Sequence, residues 1–140
     1  SEDHDMVHLE WTAALEVGHP EIDADHRALV SLLNRLHAAS SRADQAAVRV
    51  ELAALEALTR DHFAREERLM LDIRYPFAAR HQKEHVHLFD EIGAQIDDLN
   101  EGLLGAAAIA QFIRRWLMDH VETSDRHLGA ALARRCQRSF

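Results

Sequence analysis

Apolar residues recur along most of this chain at spacings of three and four positions, the period of an amphipathic helix. Four such stripes can be traced, and polar or helix-breaking residues separate them. Proline favours a first helical turn and disfavours helix at the residue before it, which helps to place the ends. The first predicted helix runs from Pro20 to Ala39 and is followed by a polar turn at Ser40–Asp44. The second apolar stripe begins at Leu52, and its helix ends near Tyr75-Pro76. The third helix runs from about Pro76 to the break at 100–102, and the fourth from about Gly105 toward the C-terminus.

Short connections between successive helices favour antiparallel neighbours. The stripes therefore predict an all-α fold, an up-down-up-down antiparallel four-helix bundle over residues 20–140. Residues 1–19, with Trp11, are expected to form an N-terminal arm. A length of 140 residues suits a single domain, and no alternating pattern predicts a sheet.

Composition narrows the functional classes. The net charge of −8 argues against nucleic acid as a partner, because its backbone is bound by clustered Lys and Arg. No apolar run approaches the roughly 20 residues of a membrane span. The opening SEDHDM is acidic, unlike the basic start of a signal peptide, and the chain has a single cysteine, Cys136. We therefore expect a soluble, cytoplasmic protein with small or neutral partners.

Eleven histidines make up the unusual part of the composition. The stretch HQKEH, residues 81–85, matches the H-x-x-E-H signature of inverted zinc peptidases, in which Glu84 would activate water. A bundle of this size offers no evident cleft for a polypeptide, however, and a peptidase would leave the other inward histidines without a shared purpose. A zinc peptidase is therefore the weaker interpretation.

Each predicted helix directs at least one histidine toward the bundle axis. Residues four apart on a helix share a face, and the second and third helices each carry such a pair of metal-binding side chains. On the first and fourth helices, a histidine falls on the apolar stripe. Buried polar groups need partners, and a metal cluster is the simplest common one. The side chains placed in this way are His26, His62, Glu66, His81, His85 and His120.

Other histidines and acids are expected to lie outside such a cluster. His87 turns about 200° away from His85 and should face solvent. His37 and His127 return to the face of an inward histidine, but two or three turns away, so roles beside the ligands or at the bundle ends are expected. Glu67 and Glu84 are predicted to be solvated. The remaining histidines precede the first helix and are His4, His8 and His19.

The combined motifs resemble one family. They are Trp11 in the arm, Ile22-Asp23-Ala24-Asp25-His26-x-x-Leu29, His62-Phe63-x-x-Glu66-Glu67-x-Leu69-Met70, Tyr75-Pro76 with His81-x-x-x-His85-x-x-x-Phe89, and Trp116-Leu117-x-x-His120-Val121-x-x-x-Asp125. Together they are similar to the hemerythrins, specifically the bacterial ones, over nearly the whole chain.

The resemblance implies a centre of two iron ions with an oxo or hydroxo bridge. One iron would be held by His26 and His62, and the other by three histidines of the third and fourth helices, His81, His85 and His120. Glu66 and Asp125 would bridge the pair. Asp125 depends on the resemblance alone, since five positions from His120 is a turn of about 140° in an α-helix. One coordination position would stay open on the two-histidine iron.

The implied function is reversible dioxygen binding for storage or delivery, without catalytic residues. Diiron enzymes of the ferritin type use four carboxylates, whereas this donor set is mainly imidazole. A dry apolar pocket is expected, with Trp11 as a cap from the arm. Its expected lining is Leu29, Phe63, Trp116, Leu117 and Val121. The alternatives are a sensor of oxygen or nitric oxide fused to a signalling domain, a diiron oxidase or peroxidase, or a supplier to an oxygen-consuming protein.

Overall fold

The structure is a computed structural model that describes the backbone of residues 9–138 and the side chains of residues 9–135. His4, His8 and the acidic opening lie outside these residues, as does the side chain of Cys136. A 3₁₀ turn at Ala13–Leu15 precedes the bundle. The helices are α1 (Pro20–Ser41), α2 (Gln45–Asp72), α3 (Ala78–Asn100), α4 (Ala106–His120) and α5 (Arg126–Arg138). A π-helical segment, Val121–Asp125, joins α4 to α5.

The predicted four-helix bundle is confirmed, with no strand in the described part of the chain. Connections of three to five residues separate the first four helices, and α1 and α3 each pack against both α2 and α4. Helix α1 begins at Pro20 as predicted, and Asp44 caps α2 by accepting a hydrogen bond from Ala47 N. Helix α3 begins two residues after Pro76, because residues 73–77 form the turn between α2 and α3.

The fourth helix differs from the prediction. It was expected to run without interruption, but the π-helical segment divides it into α4 and α5. The peptide N–H of Arg126 reaches the carbonyl of Val121, a spacing of five residues in place of four. Residues after this segment are consequently rotated relative to an uninterrupted α-helix.

Two apolar clusters fill the bundle, and a set of buried histidines and carboxylates lies between them. The larger cluster includes Leu29, Leu55 and Ile109, and the smaller includes Ile22 and Leu128. Removing such side chains from water stabilises the fold by about 1.5–3 kcal/mol each. The core is thus interrupted at one level, where buried histidines and carboxylates replace apolar side chains.

Residues 9–19, the described part of the arm, pack against the outside of the bundle. The side-chain amide of Asn34 accepts a hydrogen bond from Leu9 N and donates one to Leu9 O. Val17 lies so close to Gly129 that a Cβ on that glycine would collide with the Val17 carbonyl. The arm is therefore fastened both to α1 and to α5. No helix in the described part of the chain is long and apolar enough to cross a membrane.

Candidate metal centre

All seven predicted ligands come together in the interrupted level of the core. Each is at most 4% exposed. His26 comes from α1, His62 and Glu66 from α2, His81 and His85 from α3, His120 from the end of α4, and Asp125 from the π-helical segment. Every helix of the bundle thus contributes to one cluster, except α5, which begins immediately after Asp125.

The cluster consists of two groups that share both carboxylates. In one group, ligand atoms of His26, His62, Glu66 and Asp125 all lie within 4.8 Å of one another. In the other, Glu66 and Asp125 lie within the same distance of three histidines, which are His81, His85 and His120. This arrangement provides two adjacent sites for metal ions.

The two oxygens of Glu66 face different groups. Its Oε1 lies 3.0 Å from His81 Nε2 and 2.9 Å from His85 Nε2. Its Oε2 lies 3.4 Å from His62 Nε2 in the other group. A carboxylate placed in this way can bridge two ions.

The two oxygens of Asp125 also face different groups. Its Oδ1 lies 3.1 Å from His81 Nε2 and 3.0 Å from His120 Nε2, while its Oδ2 lies 2.9 Å from His26 Nε2. Two ligand atoms each ~2.1 Å from one ion and at right angles to one another are ~3.0 Å apart. The spacing within the cluster therefore suits ligands arranged around common ions.

Several ligand atoms of the cluster lack a hydrogen bond, and this observation is independent evidence on whether cations fit there. His85 Nε2, His120 Nε2, Glu66 Oε2 and Asp125 Oδ1 are buried without a partner of suitable hydrogen-bond geometry. Buried polar atoms are nearly always satisfied in folded proteins. Their convergence without hydrogen bonds is what a pair of cations would resolve, so the residues fit a two-metal centre.

The electrostatics of the cluster also favour cations. Burial, followed by the charge of Asp125, raises the pKa of Glu66 well above its usual value. Burial and the neighbouring imidazoles of His81 and His120 lower the pKa of His85 to about 2. Against the effect of burial, the adjacent carboxylates of Asp125 and Glu66 raise the pKa of His81 to about 10. Metal ions would replace these shared protons.

The π-helical segment explains how Asp125 reaches the cluster. In a π-helical segment the backbone hydrogen bonds span five residues in place of four, which brings Asp125 round toward the side of His120. In a continuous α-helix the same spacing would point the carboxylate away. The ligand that helical spacing could not identify is therefore placed by a local change of helix type.

Asp25 is a partner of the cluster that the sequence patterns did not indicate. Its Oδ2 accepts a hydrogen bond from His62 Nδ1 at 2.9 Å. Arg65 donates from Nε and Nη2 to the same carboxylate, both at 2.7 Å. Although burial alone would raise it, these hydrogen bonds from His62 and Arg65 lower the pKa of Asp25 to about 2. The available signal was its position on the apolar stripe, three residues after Ile22.

The expectation that Glu84 is simply solvated was wrong. Its carboxylate is about one-third exposed, but Oε2 lies 2.9 Å from His120 Nδ1. Ser124 Oγ donates a hydrogen bond to the same oxygen at 2.7 Å. Because Glu84 follows His81 by three residues, it lies at the edge of the inward face of α3 and not on its outer side. Glu67 is half-buried and forms no hydrogen bond or ion pair among the described residues.

A small closed cavity of about 10 Å³ lies beside the cluster, with room for roughly one water-sized molecule. Four of the five expected lining residues border it, namely Leu29, Phe63, Trp116 and Leu117. Val121 does not border it and is instead fully buried in the larger core cluster. Three residues that were not predicted also border it, namely Thr59, Leu88 and Ile113.

Trp11 does not cap this cavity. Its half-buried ring packs on the outside of α1, with the guanidinium of Arg27 4.9 Å from the ring centroid. It borders an open surface groove and is separate from the residues that surround the closed cavity. The proposed cap from the arm was therefore wrong.

The other histidines are distributed largely as expected. His87 is exposed, which confirms the prediction. His37 is buried away from the cluster with its Nε2 3.3 Å from Ser41 Oγ. His127 is exposed and lies 2.7 Å from the hydroxyl of Tyr75, at the mouth of an open cleft that reaches His81 and His120.

The fold and the cluster define a class of protein, a four-helix bundle whose histidines and two shared carboxylates can hold a pair of metal ions. The sequence profile described as the hemerythrin HHE cation binding domain matches residues 17–132. The chain is 32% identical to a bacteriohemerythrin of Pseudomonas aeruginosa over 129 residues, covering 86% of this chain and 78% of the relative. It is 33% identical to a myohemerythrin of Riftia pachyptila over 115 residues, covering 82% and 86%.

A crystal structure of wild-type hemerythrin superposes with a TM-score of 0.82 at 25% identity, covering 89% of this chain and 97% of that one. This chain belongs to the hemerythrin family. Hemerythrins bind dioxygen at a non-heme diiron centre, and the ligand cluster of this chain fits a centre of that kind.

Proposed function

We propose that this chain binds dioxygen reversibly at a pair of iron ions, without converting a second substrate. His26 and His62 would hold one ion, and three histidines would hold the other, His81, His85 and His120. The observation that carries the proposal is that Glu66 and Asp125 each direct one oxygen to the first group and the other oxygen to the second. When bound, the iron pair supplies electrons and an open coordination position for the gas.

The unequal number of histidines supports a ligand position on one ion only. The group of His26 and His62 has one imidazole fewer than its neighbour, so it has room for an additional small ligand. The cavity borders His62 of this group, together with Asp125 and with His120 of the other group, so a small ligand held in it would lie within reach of this ion. A diatomic gas would then meet the ion with fewer protein ligands.

The residues around the cavity exclude water, which favours binding over turnover. Leu29, Phe63 and Leu117 are each less than 10% exposed. Besides the ligands, no group that could deliver a proton borders the cavity except the hydroxyl of Thr59. A dry site limits the side reactions that would leave the irons oxidised.

Two aromatic side chains, Phe63 and Trp116, pack against the imidazoles of the site. Phe63 is stacked on His85 with centroids 3.8 Å apart, and Trp116 is stacked on His120 at 4.2 Å. Side chains held by packing keep ligand geometry constant as charge changes at the centre. We infer that these rings help the site return to its starting state after release of the gas.

The test is a cycle of loading and release. Purified protein reconstituted with ferrous iron should contain two irons per chain, take up one oxygen per pair and release it under vacuum, with a reversible change in its visible spectrum. The variant His85→Ala should lose the spectrum, while His87→Ala, an exposed histidine two residues away, should retain it. Exclusive zinc binding, or uptake that cannot be reversed, would overturn the proposal.

A sensory role is the second candidate, because the arm is fastened next to the ligands. Arg126 follows the ligand Asp125 and donates a hydrogen bond to the carbonyl of Ala14 in the arm. Oxygen or nitric oxide at the open position would then be reported through the arm to a fused or associated signalling domain. A change in arm protection on gas binding would support sensing, and an unchanged arm would favour storage or supply to an oxygen-consuming protein. Both roles are proposed for the cytoplasm.

A further inference from the structure

Each of the two ligand groups contains one histidine whose Nε2 faces the cluster while its Nδ1 contacts a further carboxylate. In the two-histidine group this is His62, paired with Asp25. In the three-histidine group it is His120, paired with Glu84. A carboxylate that accepts the remaining N–H of a ligating imidazole fixes the ring and increases its electron donation to the metal.

The charge of Asp25 is compensated locally. Arg65 forms a two-point ion pair with both of its oxygens, at 2.7 Å each. The pair is partly shielded from solvent, since the Asp25 side chain is 11% exposed. The net charge presented to His62 is therefore close to zero.

Glu84 is not compensated to the same extent. Its nearest cation, Arg80, has Nε 4.0 Å from Oε1 and is 81% exposed, so solvent screens the interaction. Ser124 provides a neutral hydrogen bond. The carboxylate borders the open cleft, and the side chain is about one-third exposed. A negative charge thus faces His120 without an equivalent of Arg65.

We propose that Glu84 is a positioning residue that acts through His120 to lower the reduction potential of the three-histidine metal. The inference rests on the proposed diiron function. A negative charge and a stronger imidazole donor both stabilise the more oxidised ion. The two metals differ, therefore, in the outer charge acting on their histidines as well as in the number of histidines.

The chain offers a matched control. Glu67, like Glu84, is a partly buried glutamate adjacent in sequence to a ligand, but it contacts no ligand nitrogen. Glu84→Gln removes the charge and retains an acceptor for His120 Nδ1, whereas Glu84→Ala removes both. Glu67→Gln removes an equal charge without affecting a histidine.

Potentiometric titration of the iron-loaded protein, followed by its visible absorption, measures the effect. Glu84→Gln and Glu84→Ala should both shift the midpoint potential to more positive values, and Glu67→Gln should shift it by less than half as much. Only Glu84→Ala should also weaken metal binding, by about tenfold. Equal shifts in Glu84→Gln and Glu67→Gln would overturn the proposal.

A second measurement separates this inference from the diiron function. In protein loaded with diamagnetic zinc, proton NMR should show the Nδ1–H of His120 as a downfield resonance that moves in Glu84→Gln and stays in Glu67→Gln. An unmoved resonance refutes the role of Glu84 whatever the iron chemistry. If it moves but the wild-type protein shows no reversible diiron couple, the proposed function fails and the contact with His120 stands.

Discussion

Removal of the metal ions should destabilise the bundle strongly, because the ligand cluster is arranged for cations. Four ligand atoms are buried without a hydrogen bond, namely His85 Nε2, His120 Nε2, Glu66 Oε2 and Asp125 Oδ1. An unsatisfied buried polar atom costs about 1–3 kcal/mol; with the close pair of His120 Nε2 and Asp125 Oδ1 counted once, the metal-free protein loses at least ~3 kcal/mol of unfolding free energy. Domains are stable by only about 5–15 kcal/mol in total. For a chain of this size, we expect the midpoint of thermal unfolding to fall by more than about 10 °C.

Urea and thermal unfolding with and without a chelator would measure this difference, and one substitution should greatly reduce it. Glu66 is fully buried, so Glu66→Gln removes a carboxylate whose burial is unfavourable without metal. The variant should leave the metal-free protein equal to or more stable than wild type, while losing most of the stabilisation by metal. Glu67→Gln, the neighbouring partly exposed position, should change either form by less than about 0.5 kcal/mol. The reasoning is refuted if metal removal costs less than 1 kcal/mol, or if Glu66→Gln destabilises the metal-free form by several kcal/mol.

Two further predictions concern packing. Gly129→Ala should destabilise the protein by about 1–3 kcal/mol, since its Cβ would meet the Val17 carbonyl, whereas Gly93→Ala, in open space within α3, should stabilise it by about 0.5–1 kcal/mol; urea unfolding of the pair gives the comparison. Leu117→Ala should enlarge the closed cavity, cost about 2–5 kcal/mol of stability and admit water, so that the reduced iron centre oxidises several-fold faster in air, as followed by visible spectra. If Gly129→Ala stabilises the protein as Gly93→Ala does, the arm is only loosely attached at that point. Unchanged oxidation in Leu117→Ala would argue against a dry cavity.

The four segments of the bundle and their approximate ends could be predicted because amphipathic spacing is a local property, although the division of the fourth segment could not. Pro20 marked the start of α1, and the polar residues before α2 marked a turn. The inward histidines followed from the same spacing, since residues such as His81 and His85 lie on one face wherever the helix is regular.

Features that depend on tertiary contacts could not be obtained in this way. Glu84 lies at the edge of a helical face, and its contact with His120 exists only because α3 and α4 are neighbours. Trp11 lies in an irregular segment whose path is set by hydrogen bonds between Leu9 and Asn34. Asp25 is on an apolar stripe, but its role depends on Arg65 from another helix.

The π-helical segment Val121–Asp125 also sets the phase between the two halves of the fourth helix. Removing one residue from it would restore regular α-helix and rotate everything beyond by about 100°. Leu128, buried against Ile22 and Met70, would then turn away from the smaller core cluster as Asp125 left the metal ligands. One inserted residue thus ties the metal centre and the packing of the C-terminal helix to a single register, and neither can be altered by a change of length without the other.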